Sequence, residues 1–154
     1  MRSCHLSLTE RYGGIVHVTE GRPTVIKYMY CIRRRADLSQ EEFHKYWLER
    51  HAPFIRSLAQ KFRAKKYIQC HTMDTPLHEA FAKSHGFKML PFDGITELWW
   101  DSMEDFIEGN GSPEGLEAAQ AYLADEANFI DFSQSVAFLT EEHTIFDFST
   151  EGMS

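Results

Sequence analysis

The sequence has little of what marks a secreted or membrane protein. Its 154 residues contain three cysteines, Cys4, Cys31 and Cys70, with no CxxC pair and no grouping of the zinc-binding type. No run of about 18 apolar residues occurs, and the first residues lack the apolar core of a signal peptide. These absences predict reduced thiols, no membrane span and a cytoplasmic location.

Positive charge is also scarce. Lys and Arg number 16 against 23 Asp and Glu, for a formal net charge of -7. The chain therefore has no overall positive field to attract nucleic acid or an anionic membrane. Glycine-rich phosphate loops and the GxGxxG, GxSxG and Walker motifs are absent. No cofactor is expected, and neither nucleic acid nor a membrane is expected as a partner.

What the sequence does contain is an alternation of strand and helix signals within one domain. A polar lead occupies residues 1–23, with a strand-like piece at 15–18; the domain spans 24–148, and a tail covers 149–154. β-Branched and aromatic runs predict strands, and serine caps predict helix starts. Strands are expected at 24–33, 65–73, 93–101 and 136–146, and helices are expected to start at Ser39, Leu77 and Ser112.

These elements predict an α+β fold of the ferredoxin-like βαββαβ type, with a four-stranded antiparallel sheet and helices on one face. Both faces of the first strand are largely apolar, whereas the helices suffice to cover only one face. We therefore expect a homodimer in which a second subunit covers the other face, sheet against sheet.

The stretch EEFHKYWLERHAPF, residues 41–54, places two histidines on one flank of an amphipathic helix. Ser39 starts a predicted capping box. Pro53 lacks an amide proton and disfavours helical backbone at the residue before it. This predicts that the helix breaks or kinks at His51-Ala52 and restarts with Pro53 in its first turn, which places His51 at a helix end. His44 and His51 are about 10 Å apart along a helix, so they cannot chelate one metal, and no metal site is expected.

Three segments, taken in order, resemble the EthD family within the dimeric α+β barrel superfamily. They are IKYMYCIRRRADLSQEEFHKYWLERHAPF from residue 26, FDGITELWWDSMEDF from residue 92 with the later SPEG, and DFSQSVAFLTEEHTI from residue 131. The resemblance implies a homodimer of ferredoxin-like units, each with a cavity between sheet and helices. Fungal relatives of the family include dehydratases or decarboxylases of polyketides, and related barrels include cyclases, isomerases, cofactor-free monooxygenases and heme enzymes.

His51 and His44 are the first candidates for acid-base chemistry. A neutral imidazole has a pKa of about 6.5, so one that faces the cavity can take up or release a proton. The alternative is that each histidine only caps the helix or forms a hydrogen bond. His143 is predicted on the last strand, on the face of Leu139 and Ile145, as a half-buried imidazole within reach of the same cavity.

Glu97 and the aromatic residues complete the candidate site. Glu97 lies in an otherwise apolar strand, so its burial would require a hydrogen-bond donor, either a histidine or a tyrosine; the alternative is a glutamate at the solvent edge.

Tyr30 is a candidate for orienting the base or a substrate oxygen. An aromatic wall for a flat hydrophobic substrate would be formed by Trp47, Tyr28, Trp99 and Phe54. Core packing is the other use of these aromatic side chains.

The expected function is cofactor-independent acid-base catalysis on a small aromatic or polyketide-like carbonyl compound, by a lyase, dehydratase, cyclase or isomerase. His51 or His44 would remove a proton next to the carbonyl, and Glu97 or Tyr30 would orient the base or the oxygen. One alternative is a non-catalytic carrier that holds a hydrophobic intermediate for a partner oxygenase. Another is a cofactor-free monooxygenase, or a heme-binding member with His44, His51 or His143 as axial ligand.

Overall fold

Four antiparallel strands form one sheet, in the order β2-β3-β1-β4, in the computed structural model, which describes residues 25–148. The strands are β1 (Ile26–Ile32), β2 (Lys66–His71), β3 (Gly94–Trp100) and β4 (Val136–Glu141). The helical elements are α1 (Gln40–Tyr46), a π segment (Trp47–His51), α2 (Ala52–Leu58), α3 (Leu77–His85), α4 (Met103–Gly111) and α5 (Pro113–Glu126). The ferredoxin-like α+β fold is confirmed. The strand-like piece predicted at 15–18 lies outside the described residues.

Two clusters of buried side chains fill the space between the sheet and the helices. One joins β1 and β3 to α2 and α5 and contains Ile26, Ile55, Leu58, Phe62, Trp100 and Ala118. The other joins β1 to α1, the π segment and the residues after α5, and contains Tyr30, Ile32, Phe43, Trp47, Phe129 and Ile130. Tyr28 contacts both clusters, so it stands where the two halves of the core meet.

Serine side chains cap three of the helices. The Ser39 hydroxyl accepts a hydrogen bond from the Glu42 amide, and the Glu42 carboxylate accepts one from the Ser39 amide, which is the predicted capping box. Ser102 and Ser112 cap α4 and α5 in the same way, through the amides three residues later. No helix among the described residues combines the length and the apolarity needed to cross a membrane.

A new α-helix begins at Ala52 with Pro53 in its first turn, as predicted, but the expected break before it does not occur. His51 and Ala52 both keep right-handed helical backbone, with φ -67 ψ -43 and φ -61 ψ -46. A π segment forms instead, in which the Ala52 amide donates to the Trp47 carbonyl. Its wider turn accommodates Pro53, whose missing amide and bulky ring do not fit an ordinary α-helical turn. His51 therefore lies inside a continuous helical run and not at its end.

The last strand is shorter than the predicted 136–146. β4 ends at Glu141, which pairs with Ile26, the first residue of β1. Among the described residues no strand pairs with the backbone after Glu141. His143 is therefore not the half-buried strand residue that the sequence predicts: its side chain is 79% exposed and lies 3.8 Å from the Glu141 carboxylate.

The face of the sheet opposite the core clusters, called the outer face below, is largely apolar. The strand register brings together on it the side chains of Met29, Cys31, Ile68, Ile95, Val136 and Phe138. Val136 and Phe138 are each 47% exposed. On the two central strands, the Lys27 ammonium lies 3.3 Å from the Glu97 carboxylate and also 3.5 Å from that of Glu142, so charged side chains interrupt the apolar surface at Lys27.

The packing of α4 on the core can be tested at Gly109. A Cβ atom added there would overlap the backbone carbonyl of Phe62, which also accepts a hydrogen bond from Trp100 Nε1 at 2.6 Å. Because backbone cannot rotate aside, Gly109→Ala should lower the free energy of unfolding by about 1–3 kcal/mol in urea denaturation. Glu117→Ala, at an exposed position of α5, is the control and should change it by less than about 0.5 kcal/mol. Equal losses of unfolding free energy in the two variants would contradict the close contact between Gly109 and the Phe62 carbonyl.

Candidate active site

His51 is buried where the first helical run meets α5. It is 1% exposed, and its Nδ1 lies 2.6 Å from Oδ2 of Asp125, near the end of α5. The other carboxylate oxygen, Oδ1, accepts a hydrogen bond from the Tyr46 hydroxyl at 2.9 Å. The carboxylate therefore orients the imidazole and favours the neutral tautomer with its proton on Nδ1. Nε2 is then the nitrogen that can accept a proton.

The surroundings of His51 favour its neutral form. Burial lowers the pKa of the imidazole below its ordinary value of 6.5, while the hydrogen bond and the charge of Asp125 act in the opposite direction. Since the net direction is downward, the ring is mainly neutral at pH 7. A neutral imidazole held by a carboxylate is the form that a general base requires.

Glu126 is a second titratable group, at the end of α5 and 2% exposed. Burial raises the pKa of its carboxyl from 4.5 to about 8, and the negative charge of Asp125 adds to this; the nearby Tyr122 hydroxyl acts in the opposite direction. Among residues 25–148 no cation forms an ion pair with Glu126. At neutral pH this side chain is mainly a carboxylic acid and can donate a proton.

Four tyrosines lie close enough to Glu126 for its charge to affect them. Tyr122 precedes it by one helical turn, and its hydroxyl oxygen is buried without a hydrogen-bond partner among the described residues. Burial first, and then Glu126, raises the pKa of Tyr122. Burial is also the main cause that raises the pKa values of Tyr28, Tyr30 and Tyr67, with Glu126 as a further cause. All four phenols are therefore held in the protonated form.

A cavity of about 580 Å³ adjoins this group of residues. Tyr28, Tyr67 and Tyr122 form one part of its wall, and most of the remainder is apolar, contributed by Ile55, Phe62, Leu98, Trp100, Phe106 and Ala119. The volume suits a small organic molecule. His51 stands directly behind the tyrosines, with its ring centroid 5.5 Å from that of Tyr122 and 6.4 Å from that of Tyr67. Glu126 likewise lies behind the wall, beside Tyr122.

Trp47 and Tyr28, both predicted to bind substrate, have different positions. Tyr28 lines the cavity. Trp47 is fully buried and does not line it; its Nε1 donates to the Tyr67 hydroxyl oxygen at 3.1 Å. Gln69 donates to the same oxygen at 2.9 Å, so two donors hold Tyr67 in place. Tyr30, predicted as catalytic, is buried with its ring centroid 6.0 Å from that of Tyr28.

His44 lies away from the cavity, in a surface groove between α1 and the end of β2. Its Nε2 is 3.2 Å from the Asp93 carbonyl oxygen, and its ring centroid is 4.5 Å from that of His71. The two histidines of the opening helix therefore belong to different surroundings. Within residues 25–148 no three His, Cys, Asp or Glu side chains converge as a metal ion requires.

Glu97, Trp99 and Phe54 also lie away from the cavity wall. Glu97 and Trp99 are on the outer face, where the Trp99 ring centroid is 4.0 Å from the Lys27 ammonium and 4.5 Å from that of Lys66. The donors to Glu97 are thus the Lys27 ammonium and, at 3.9 Å, the Cys70 thiol, and not the expected histidine or tyrosine. Phe54 packs against the core cluster of α2. The sheet separates Glu97 and Trp99 from His51.

Four residues of the site belong to no motif in the sequence: Tyr67, Tyr122, Asp125 and Glu126. One signal for Glu126 is its spacing, because Ala118, Tyr122 and Glu126 are four residues apart and share one face of α5. A carboxyl that continues an apolar face is a candidate for burial. Nothing local in the sequence indicates that Asp125, its neighbour, pairs with His51.

Fold and site together define an α+β domain in which an acid and a base group lie behind the tyrosine wall of a mostly apolar cavity. The family model described as the EthD domain matches residues 35–133. The chain therefore belongs to the EthD family.

Individual relatives agree with this assignment. The conidial pigment biosynthesis dehydratase EthD of Metarhizium robertsii is 25% identical over 104 residues, which are 66% of this chain and 71% of that protein. An EthD family protein of Bacillus halodurans C-125 has a TM-score of 0.51 and 14% identity, covering 77% of this chain and 99% of that one. The hydroxynitrile lyase of Passiflora edulis has a TM-score of 0.52 and 18% identity, covering 81% and 99%. At these identities the two solved structures support the fold alone.

The burial of Glu126 predicts a dependence of stability on pH. Its folded-state pKa of about 8 lies above the ordinary 4.5, so the folded protein holds this proton more tightly than the unfolded chain does. The associated stabilisation is complete below about pH 4.5 and is lost as the pH rises through 8, by roughly 5 kcal/mol in all. Glu126→Gln cannot titrate. The stability of the wild type minus that of Glu126→Gln, from urea denaturation, should fall over this range; a constant difference would contradict a buried neutral Glu126.

Proposed function

We propose that the protein is a cofactor-independent lyase of the dehydratase type, acting on a small aromatic or polyketide-like β-hydroxy carbonyl compound. One observation carries the proposal: a neutral imidazole, His51, and a neutral carboxylic acid, Glu126, both lie beside Tyr122, behind the wall that Tyr122 forms in an apolar cavity. Surroundings that move two pKa values in opposite directions provide a base and an acid at the same pH.

In the first step His51 removes a proton from the carbon next to the carbonyl. The reacting carbon approaches Nε2 between Tyr67 and Tyr122, whose rings adjoin the imidazole. Asp125 keeps its hydrogen bond to Nδ1 and stabilises the imidazolium that forms. The hydroxyl of Tyr28 or Tyr67 donates to the carbonyl oxygen, on which negative charge develops.

In the second step the β-hydroxyl group leaves as water. The electron pair of the broken C–H bond forms the carbon-carbon double bond, and the C–O bond breaks. Glu126 supplies the proton to the leaving oxygen by way of the tyrosine hydroxyls that separate it from the cavity. The proton held by His51 then replaces the one lost by Glu126, so both groups recover their starting forms. The net change is the loss of one water from the substrate.

The roles of His51 and Glu126 can be separated by two measurements on an aryl β-hydroxy ketone. Exchange of the α-proton for solvent deuterium, followed by NMR, requires only the base, whereas formation of the conjugated ketone, followed by absorbance, requires base and acid. His51→Asn should lower both rates by at least about a hundredfold. Glu126→Gln should lower dehydration by a similar factor and leave exchange within about threefold of the wild type.

His44→Ala is the matched control, since His44 lies in the other groove, and it should leave both rates nearly unchanged. Full exchange activity in a folded His51→Asn variant would overturn the assignment of the base. The circular dichroism spectrum of each variant should match that of the wild type, which separates loss of chemistry from loss of fold.

A carrier of a hydrophobic intermediate is the second candidate function. It is favoured by the position of His51 and Glu126 behind the cavity wall and not on it. The same ketone decides between the two. A carrier binds it, as measured by quenching of tryptophan fluorescence, but shows neither α-proton exchange nor dehydration in the wild type.

We also propose that two copies of the chain associate through their outer faces. The apolar side chains there include the half-exposed Val136 and Phe138, and their removal from water in a sheet-to-sheet contact would stabilise a dimer. The Lys27–Glu97 pair would be enclosed in the same interface, where each charge keeps the other as its partner.

The dimer is tested by light scattering, which should give about twice 17.9 kDa for the wild type. Phe138→Asp places a charge on the outer face and should shift the mass towards that of one chain. Leu123→Asp is the control, because Leu123 is 54% exposed on α5, on the helical side of the sheet, and should leave the mass unchanged. A wild-type monomer at micromolar concentration would exclude the proposed association.

A further inference from the structure

We propose that the substrate carries an anionic group, such as a carboxylate, which binds to Arg56 and Lys65 while the apolar body of the molecule fills the cavity. This proposal rests on the proposed function and specifies the class of its substrate. Arg56 belongs to α2 and Lys65 immediately precedes β2, and both side chains line the cavity next to its apolar wall. Both are exposed, so they mark the solvent end of the cavity, whereas the tyrosines mark its inner end.

The charges along the cavity have one sign. Among the described residues that line it there is no Asp and no Glu, although the chain as a whole has 23 acidic residues and a net charge of -7. An anion that approaches this opening therefore meets cations in an otherwise acidic protein. Attraction of this kind acts over the Debye length, about 8 Å at physiological salt.

Arg56 is available to bind an anion. Within residues 25–148 it forms no ion pair and no side-chain hydrogen bond. A guanidinium can bind both oxygens of a carboxylate at once. Ala59, the residue that follows α2, also lines the cavity, so a carboxylate at Arg56 would lie directly beside an apolar surface.

Lys65 and Lys66 differ in whether their ammonium groups are available to bind the anion. The Lys65 ammonium lies 3.1 Å from the Asp101 carboxylate, but both side chains are more than half exposed, so water screens this pair and a ligand can compete for the lysine. The Lys66 ammonium lies over the Trp99 ring on the outer face. Lys66 is therefore assigned no part in binding the anion.

The geometry assigns an orientation to the bound molecule. Its anionic group lies at Arg56 and Lys65, its flat apolar part contacts side chains such as Phe62, Trp100 and Phe106, and its reacting carbonyl reaches the tyrosines. A substrate with a charged end and an apolar body is therefore complementary to the charged, apolar and tyrosine parts of the cavity wall. A neutral analogue loses only the contact at the opening.

The test compares two ligands of the same shape, naphthoate and naphthylmethanol, titrated at pH 7 by quenching of tryptophan fluorescence. The wild type should bind the acid roughly tenfold more tightly than the alcohol, because a charge-assisted hydrogen bond is formed only by the acid. The double variant Arg56→Gln with Lys65→Gln should lose this roughly tenfold preference and bind the alcohol as the wild type does.

Two further variants test whether the preference for the acid depends on Arg56 and Lys65 in particular. Lys61→Gln removes an exposed charge near α2 that does not line the cavity, and it should keep the preference for the acid. Asp101→Asn frees Lys65 from its partner and should strengthen binding of the acid about twofold to threefold.

Raising the salt concentration to about 1 M should weaken the binding of the acid and leave the binding of the alcohol unaffected.

Equal affinities of the wild type for acid and alcohol would overturn the proposal, and so would a preference that survives in the double variant, or failure of both ligands to bind. The proposed function is judged separately, by α-proton exchange of the neutral ketone in the same proteins. If exchange occurs while the acid has no advantage, only the anionic substrate is excluded. If the acid is preferred but no ketone exchanges, binding stands and the dehydratase chemistry fails.

Discussion

The hydrogen bond between His51 and Asp125 holds the site together. It joins the π segment to the last turn of α5, 74 residues further along the chain. One of its two partners, His51, is buried from water. A charged hydrogen bond in such surroundings is stronger than one at the surface. The tautomer of His51, the closeness of its ring to Tyr122 and the negative charge beside Glu126 all depend on this contact.

Asp125 and Glu126 are adjacent carboxyl groups at the end of α5, and they have different roles: a hydrogen-bond acceptor and a neutral acid. Asp125 serves as acceptor for His51 and Tyr46, one on each oxygen. Glu126 points about 100° away around the helix, where burial and the neighbouring charge favour the neutral acid. A base and an acid can therefore coexist at one pH beside Tyr122, with no cation among the described residues paired to the acid.

The π segment explains why the two histidines of the opening helix separate. In an uninterrupted α-helix, residues seven apart lie on nearly the same flank, because seven steps of 100° make almost two full turns. Each residue of a π segment turns through a smaller angle, so His51 moves away from the flank of His44. His51 then meets Asp125, while His44 meets Asp93 and His71. Pro53 favours this wider turn, and so contributes to the position of the imidazole.

The sequence by itself determined the order and type of the elements, because local signals encode them: the capping box at Ser39, the Ser112-Pro113 start of α5 and the β-branched run of β1. Together with the EthD-like segments, these signals also drew attention to His51. Only the tertiary structure decided that its carboxylate partner is Asp125, that Glu97 lies across the sheet with Lys27, and that β4 ends before His143. Such pairings join residues far apart in sequence, and the burial that shifts the pKa of Glu126 arises from all the elements packed around it, so no local pattern contains them.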